Sequence, residues 1–269
     1  MTTTTEPRTS TGPERPERSE RSERSASSVP EAFDAVASTY DLMVALNPGY
    51  HAHLRASADD LVAALPTTVT SGGRPVRVAD LGCGSGASTA ALQAALEAAG
   101  VDAELVGVDG SAGMLAQARR KRWSLPARFV QADAETVEVT DLDGPYDAVF
   151  AAYLFRNVAA RDRLLGRVHD LLVPGGVLVV HEYSVRESRR ARATWDAVCW
   201  GVVVPLGLVT APRSPIYRYL WRSVRDFDST LVMRSRMVAA GLDRVRSRTV
   251  GGWQNGVLHT FLGHRPEDR

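Results

Sequence analysis

Short apolar runs alternate with segments of helical periodicity between residues 76 and 183. Such runs predict buried strands, and the 3.6-residue periodicity predicts helices. The predicted strands are Val76–Leu81, Ala103–Val108, Ala127–Gln131, Tyr146–Tyr153 and Gly176–Tyr183. The predicted helices are Ser88–Ala99, Ala112–Arg122 and Asp162–Leu172. Strands that alternate with helices through short Gly- and Asp-rich turns predict a doubly wound α/β fold, which binds ligands at the carboxyl ends of its mostly parallel strands.

The segments on either side of this core are expected to complete the domain, which spans residues 29–269. Residues 29–66 read as helical, with a turn at Asn47-Pro48-Gly49, and predict an N-terminal helical cap. Residues 184–230 contain an Arg-rich helix, the apolar stretch Val198–Val209 and a further helix, which together predict a lid over the substrate. Arg244–Val250 and Val257–Gly263 are predicted to add an edge hairpin, which gives a seven-stranded sheet.

Composition narrows the function classes. Residues 1–28 consist mostly of Thr, Ser, Pro, Glu and Arg, and predict a disordered tail. The 32 Lys and Arg nearly cancel the 31 Asp and Glu, so no overall field favours nucleic acid as a partner. Two cysteines, Cys83 and Cys199, are too few for a disulfide framework or a usual zinc cluster. A soluble, cytoplasmic protein is therefore expected, with peripheral contact at the inner face of the cell membrane left open.

The strongest motif is VADLGCGSG at residues 78–86, where a strand runs through a glycine-rich turn into a helix. Gly82, Gly84 and Gly86 allow the backbone to approach a ligand closely. Dinucleotide-binding enzymes also place a glycine turn at this point, and a purely structural turn is a further alternative. The motif alone therefore does not identify the ligand.

Three acidic residues at successive strand ends favour S-adenosylmethionine (SAM) as that ligand. Asp109 can accept hydrogen bonds from both ribose hydroxyls. Asp133 can accept one from the adenine amino group, while Ala134 leaves room for the ring. Asp80 can contact the cationic methionine end, directly or through water, whereas a pyrophosphate would be repelled. Each acid could instead be an ordinary helix N-cap, but all three at successive strand ends favour SAM.

These residues resemble the class I SAM-dependent methyltransferases, whose glycine motif, ribose acid and adenine acid match Asp80 to Gly86, Asp109 and Asp133-Ala134. The resemblance implies a Rossmann-like fold and SAM as the cofactor. It implies no metal, and no oligomeric state is indicated. The further residues that it places at the cofactor are Gly82, Gly84 and Ser85 at the amino-acid end and Met114 near the adenine. A role in the helix core is an equal alternative for Met114.

Other segments are similar to the C-methyltransferases of ubiquinone and menaquinone biosynthesis, the UbiE/MenG family. They are ASTYDLM at 37–43, FRNV at 155–158, PIYRYLWRSVRDF at 215–227 and the closing GGWQNGVLHTFLGH at 251–264. The resemblance implies transfer of a methyl group from SAM to a ring carbon of a prenylated quinol such as demethylmenaquinol. The expected partner is thus a small aromatic or lipid-quinol acceptor, with no nucleic acid, because strand four lacks an Asp/Asn-Pro-Pro-aromatic motif.

Arg156, Asn157 and Tyr40 are the expected catalytic residues. Methylation of a quinol ring carbon needs electron density from a deprotonated or strongly hydrogen-bonded hydroxyl, and a guanidinium at Arg156 would stabilise the developing phenolate. Asn157 would position a water or the acceptor, and Tyr40 would line the acceptor pocket, as would Tyr217 and Tyr219. An ion pair of Arg156 with Asp133 or Glu182 is the structural alternative. His181 is either an alternative base or a hydrogen-bonded residue at a strand end.

Two features leave the acceptor open. The quinone enzymes usually carry Ser-Phe-Gly-Leu where this chain has Ala152-Tyr153-Leu154-Phe155, so Leu154 is expected to narrow the acceptor site. An aromatic or polyketide-like secondary metabolite, methylated on carbon or oxygen, is therefore the alternative substrate. The stretch Val198–Val209, with arginines on both sides, predicts a cover for a prenyl tail, a membrane-interface patch or an ordinary packed helix.

Overall fold

The computed structural model describes residues 49–138, 140–205, 207 and 216–268. The predicted tail, most of the predicted cap and Tyr40 lie outside these residues. The strands of the described chain form one sheet in the order β3-β2-β1-β4-β5-β7-β6. Their bounds are β1 Val76–Leu81, β2 Ala103–Asp109, β3 Ala127–Gln131, β4 Tyr146–Ala152, β5 Leu172–Tyr183, β6 Asp243–Thr249 and β7 Leu258–His264.

The first five strands are parallel, and the strand order reverses between β1 and β4. Strand β1 pairs with β2 on one side and with β4 on the other, so the carboxyl ends of both halves meet there. A crevice at such a reversal point is the usual ligand site of a doubly wound sheet. Strand β7 lies antiparallel between β5 and β6, which confirms the predicted hairpin at the sheet edge.

Helices cover both faces of the sheet. Their bounds are α1 Tyr50–Ala64, α2 Thr67–Thr70, α3 Ala87–Ala98, α4 Ala112–Arg120, α5 Arg161–Leu171, α6 Arg189–Val198, α7 Ile216–Asp226 and α8 Thr230–Ala239. One buried cluster joins α1, α3 and α6 to the sheet, and a second joins α5 and α8 to the opposite face. The predicted doubly wound architecture is therefore confirmed.

The predicted bounds of the core strands and helices agree with these within two residues, except for β5. This strand was predicted to begin at Gly176 but begins at Leu172, because Leu172 pairs with Tyr146 ahead of an irregularity in the ladder. Pro174 and Gly175 lie inside this irregular part, and their turn-forming character hides the start of the strand from sequence patterns.

The segment after β5 folds over the carboxyl end of the sheet. Helix α6 continues into a π-helical turn, Cys199–Val203, and α7 packs beside both. The indole Nε1 of Trp195 on α6 donates to the carbonyl of Trp221 on α7 at 3.3 Å, which ties the two helices together. No helix in the described part of the chain combines the length and apolar character needed to cross a membrane.

Candidate active site

A cavity of about 730 Å³ opens at the carboxyl ends of β1 to β4. Ten of the predicted site residues line it, and they come from the glycine turn, the loops after β2 and β3, and the turn after β4. They are Gly82, Gly84, Ser85, Asp109, Met114, Asp133, Ala134, Leu154, Arg156 and Asn157. The structure therefore brings all the predicted cofactor residues except Asp80 to one cavity, together with two of the three predicted catalytic residues. Asp80 lies beneath the cavity. Tyr40 lies outside the described residues.

The glycine turn after β1 has a backbone that only glycine adopts without strain. Gly84 has φ +53°, and nothing lies within 4 Å of the position that a Cβ atom would occupy. Its amide donates to the Oδ2 of Asp109 at 2.8 Å, and the other carboxylate oxygen of Asp109 accepts from the amide of Ser111, also at 2.8 Å. Asp109 therefore fixes the turns after β1 and β2 together, beside the space where a ribose is predicted.

Asp80 lies beneath the glycine turn and is not among the residues that line the cavity. Its side chain is fully buried, and its Oδ2 accepts from the hydroxyls of Ser88 at 2.7 Å and Thr89 at 2.6 Å. Burial raises the pKa of Asp80 to about 6, although the two hydroxyls oppose the shift. The carboxylate therefore organises the start of α3, and its predicted contact with the methionine end of SAM stays a prediction.

The residues predicted near the adenine lie at the cavity rim. The Oδ1 of Asp133 accepts from the amide of Glu135 at 2.8 Å, and Glu135 in turn accepts from the amides of Ala159 and Ala160. Met114 is 2% exposed, so it belongs to the helix core and the cavity wall at once. The loops after β3 and β4 are thus joined at the side of the cavity where the adenine is predicted.

Arg156 forms a buried ion pair with Glu182 at the end of β5. The Nη1 atom of Arg156 lies 2.8 Å from the Oε1 of Glu182, and the two side chains are 7% and 0% exposed. The same Nη1 donates to the carbonyl of Tyr153 at 2.7 Å, and the amide of Arg156 donates to the Oε2 of Glu182. The ion pair with Glu182, the alternative from the sequence, is therefore present, while Arg156 also lines the cavity.

Asn157 links this group to the lid. Its Nδ2 donates to the carbonyl of Tyr153 at 3.1 Å, and the hydroxyl of Tyr219 donates to its Oδ1 at 3.1 Å. Burial raises the pKa of Tyr219, so this hydroxyl remains a donor. Tyr217 is buried, and neither it nor Tyr219 is among the described residues that line the cavity.

Tyr153 contacts several residues on the side of the cavity where the acceptor is predicted, here called the acceptor side. The sequence had indicated Tyr153 only as a departure from the family pattern. It has φ +57°, a strained conformation for a non-glycine residue. Its ring stacks on Tyr50 with centroids 5.3 Å apart and packs on Tyr183 at 5.2 Å. Its carbonyl is the shared acceptor for Arg156 and Asn157. Burial raises the pKa of Tyr153 well above its ordinary value, so the hydroxyl stays protonated.

The structure also places His181, which the sequence left as either a base or a hydrogen-bonded residue, and Leu154. His181 is fully buried in β5, does not line the cavity, and lies with its Nδ1 3.0 Å from the Oγ1 of Thr260. Burial lowers its pKa to about 3, so the hydrogen-bonded strand-end role fits better than that of a base. The side chain of Leu154 lines the cavity and lies 3.0 Å from where a Cβ of Gly82 would stand, and its narrowing of the acceptor site stays a prediction.

Sequence comparisons identify the family of this chain. The model of the ubiE/COQ5 methyltransferase family matches residues 19–264. The chain is 32% identical over 243 residues to the ubiquinone/menaquinone biosynthesis C-methyltransferase UbiE of Pseudomonas aeruginosa, covering 88% of this chain and 89% of that protein. It is 35% identical over 194 residues to the demethylmenaquinone methyltransferase of Thermus thermophilus, covering 71% and 84%.

Solved structures agree with the fold. The plantazolicin methyltransferase BamL, in complex with a triazolic desmethylPZN analog and SAH, superposes with a TM-score of 0.62 at 13% identity, covering 92% of this chain and 99% of that one. The magnesium protoporphyrin IX methyltransferase ChlM from Synechocystis PCC 6803, with bound SAH, gives a TM-score of 0.59 at 15% identity, covering 90% and 99%. At such identities the likeness establishes the architecture alone.

Proposed function

Since this chain belongs to the ubiE/COQ5 methyltransferase family and is a SAM-dependent methyltransferase, we propose that it methylates a ring carbon of a prenylated quinol such as demethylmenaquinol. One observation carries the proposal. A guanidinium, Arg156, is held by a buried carboxylate at the wall of the cavity that the glycine turn also lines. The quinone substrates named for the relatives support the choice of acceptor.

The residues on the β1–β3 side suit SAM. The open space at Gly84 lets a ligand reach the backbone, and Asp109 stands beside it with a carboxylate for ribose hydroxyls. Asp133 and Ala134 also line the cavity, and the adenine is proposed to bind beside them. SAM, when bound, supplies an electrophilic methyl group. The protein's own contribution is to hold the acceptor carbon towards it and to exclude water.

Arg156 is proposed to make the ring carbon nucleophilic. A quinol carbon gains electron density when a neighbouring hydroxyl gives up or shares its proton, and a guanidinium donor stabilises the resulting oxyanion. Arginine stays protonated in proteins, so its role is electrostatic and not that of a base. As the new carbon–methyl bond forms, the ring carbon loses its proton, and the products are the methylated quinol, S-adenosylhomocysteine (SAH) and one proton. Asn157, held by Tyr219, is proposed to orient the acceptor.

The test is mass spectrometry of the products formed from SAM and demethylmenaquinol in detergent, with a short-chain soluble quinol in parallel. The proposal expects a gain of one methyl group on the ring. Binding of SAM, measured by calorimetry in the same preparation, without methylation of either quinol would contradict it. The position of the methyl group distinguishes carbon from oxygen as the acceptor atom.

A second candidate is a C- or O-methyltransferase of an aromatic or polyketide-like secondary metabolite. Leu154 favours it, because the quinone enzymes usually carry glycine at this position, whereas here a larger side chain lines the cavity beside Gly82. This candidate expects turnover of compact soluble aromatic acceptors and little turnover of a long prenylated quinol. The comparison of the two quinols above therefore also separates the two candidates.

We further propose that residues 184–230 form a lid over the acceptor and make peripheral contact with the membrane. Trp200 and Val202 on the π-helical turn are 49% and 59% exposed. Arg218 and Arg222 lie one helical turn apart on α7, which packs beside the helix that carries this turn. Apolar and aromatic side chains beside arginines suit the surface of an anionic bilayer, from which a lipid quinol would be taken.

A further inference from the structure

A group of buried polar atoms includes the hydroxyl of Tyr153 and side chains of α1 and of the carboxyl end of β5. The hydroxyl of Tyr153 and the Nε2 of His181 have no hydrogen-bond partner within the described ranges. The Nδ1 of His53 is likewise without a partner in these ranges, and the side-chain amide of Gln254 lies beside the His53 ring. These four side chains are called the polar chamber below. Buried polar atoms normally have partners, so a concentration of exceptions beside an active site calls for a ligand.

The chamber is assembled from separate elements. His53 lies in the first turn of α1, His181 in β5, and Gln254 at the end of the 3₁₀ turn Gly252–Gln254 between β6 and β7. The rings of Tyr153 and His181 meet edge to face with centroids 5.4 Å apart. The Nδ1 of His181 faces the hydroxyl of Thr260, so the orientation of this imidazole is fixed and its Nε2 is the atom left for a ligand.

The chamber carries no net charge at neutral pH. Burial lowers the pKa of His181 to about 3, and burial also lowers the pKa of His53, although the nearby Gln254 opposes that shift. Burial keeps Tyr153 protonated. Neutral imidazoles, an amide and a phenol offer both donors and acceptors. They suit a hydroxyl or carbonyl oxygen better than an ion.

The chamber adjoins the acceptor side of the cavity. Tyr50 and Tyr153 line the cavity and stack on each other, so Tyr153 is the chamber residue that reaches the cavity wall. The guanidinium carbon of Arg156 lies 5.6 Å from the centroid of the Tyr153 ring. An aromatic acceptor with one oxygen at Arg156 therefore lies within about one ring's width of a second polar group, where another oxygen on the same acceptor can bind.

We propose that the polar chamber is a specificity subsite that binds a second hydroxyl or carbonyl oxygen of the acceptor, distinct from the oxygen at Arg156. The inference rests on the proposed function, because it takes an oxygenated aromatic ring as the acceptor. Its consequence is selectivity. An acceptor without the second oxygen leaves the chamber atoms unpaired. Its affinity is therefore lowered by the cost of these unpaired buried groups as well as by the loss of the hydrogen bond itself.

The test compares the binding of 1,4-dihydroxynaphthalene and 1-naphthol, two acceptors of similar size that differ by one oxygen. Calorimetry under anaerobic conditions, with the protein saturated with SAH, measures the affinity for each acceptor. Because SAH has no methyl group to transfer, the different reactivities of the two acceptors do not affect the result. We expect the diol to bind about tenfold more tightly, or more, in the wild-type protein. The Tyr153→Phe and His181→Leu variants should each bring the two affinities to within about twofold of each other.

His264→Leu is the matched control. His264 is also a buried strand histidine with an unpartnered Nδ1 within the described ranges, but it pairs with Val177 towards the opposite end of β5. This variant should keep the preference for the diol. Equal affinities in the wild-type protein, or a preference that survives both Tyr153→Phe and His181→Leu, would overturn the proposal. Preferential binding of the diol without methylation of any quinol would instead contradict the proposed function and leave the chamber in place.

Discussion

The two sides of the cavity are built by different means. On the cofactor side, backbone turns after β1 and β2 are joined through Asp109, whose partners Gly84 and Ser111 lie 25 and two residues away. On the acceptor side, side chains from separate elements hold one another. Arg156 pairs with Glu182, and Asn157 binds Tyr219, which is 62 residues distant. The pairs Gly84–Asp109 and Arg156–Glu182 span 25 and 26 residues, so the two sides differ in the groups that hold them. Backbone amides at adjacent strand ends hold the cofactor side, whereas the acceptor side also depends on side chains from the lid.

This difference means that the two sides can be disturbed separately. Changes to the side chains that hold the acceptor side should alter turnover and stability while leaving the affinity for SAM nearly unchanged. Changes to the turns should weaken the affinity for SAM while leaving turnover and stability nearly unchanged. Substitutions on each side therefore test whether the separation is real.

The largest effect is expected from Glu182→Leu. The substitution leaves the guanidinium of Arg156 buried without its counter-charge, and breaking a buried pair in this way costs about 3–5 kcal/mol. Chemical denaturation should show this loss in the free energy of unfolding. Glu104→Gln, on the exposed side of β2, should change it by less than about 0.5 kcal/mol. A loss below about 1 kcal/mol for Glu182→Leu would mean that the pair does not organise the acceptor side.

Arg156→Ala should lower kcat by about 10²- to 10³-fold, because the oxyanion on the acceptor loses its charged donor. The affinity for SAM should stay within about twofold, since the variant leaves the turns of the cofactor side intact. Rapid-quench turnover and calorimetry measure the two quantities. Arg120→Ala, at an exposed position on α4, is the control. Unchanged turnover would remove Arg156 from the mechanism, and a parallel loss of SAM binding would refute the separation of the two sides.

Asp109→Ala should weaken SAM binding roughly 10- to 100-fold, the equivalent of about 1.5–3 kcal/mol for hydrogen bonds to a charged group. Both the proposed ribose contact and the link between the amides of Gly84 and Ser111 are lost. Calorimetry with SAM measures the effect. The free energy of unfolding should fall less than in Glu182→Leu. Normal SAM affinity in this variant would show that the cofactor site does not depend on Asp109.

Asp80 should make stability depend on pH. Its pKa in the folded protein, about 6, lies above the ordinary value of 3.8, so the folded state binds the proton more tightly than the unfolded state does. The contribution of this group is therefore most favourable below about pH 4 and falls by up to about 3 kcal/mol as the pH rises to about 6. Asp80→Asn should lack this decline in denaturation experiments between pH 4 and 7. The same decline in the variant, with the exposed Asp102→Asn as control, would assign it to another group.

The smallest effect is expected at the proposed membrane patch. Arg218→Glu and Arg222→Glu should each weaken binding to vesicles that contain anionic phosphatidylserine by about fivefold or more, since each basic residue near such a surface contributes about 1 kcal/mol. Vesicle flotation at low and high salt measures this binding. Turnover of a soluble quinol should be unchanged. Binding that is equal in all variants and insensitive to salt would exclude an electrostatic contact at this surface.

The same contrast explains what the sequence could predict. The strand ends, the glycine turn and Asp109 follow from local patterns, because a tight turn and an acid at the next strand end are both visible in short segments. Glu182 was visible only as one of two partners for Arg156, because nothing local selects it over Asp133. The polar chamber was invisible, since its side chains meet only after α1 and the β6–β7 hairpin pack on the sheet.

Tyr153 is an intermediate case. The departure at Ala152-Tyr153-Leu154-Phe155 was evident in the sequence, and it predicted a change in the acceptor site. The left-handed backbone of Tyr153 was not predictable, because tyrosine has no preference for that conformation and the surrounding contacts impose it. The local sequence therefore indicated that Tyr153 belongs to the acceptor site, whereas its conformation and contacts depend on long-range packing.

The most direct test of the central claim follows the methyl group itself. Incubation with SAM labelled with ¹³C at its methyl group and with demethylmenaquinol, followed by NMR of the product, identifies the atom that receives the label. The proposed function predicts a ¹³C-methyl group on a ring carbon. A label on oxygen, or its absence from the quinol in a preparation that binds SAM, would contradict it.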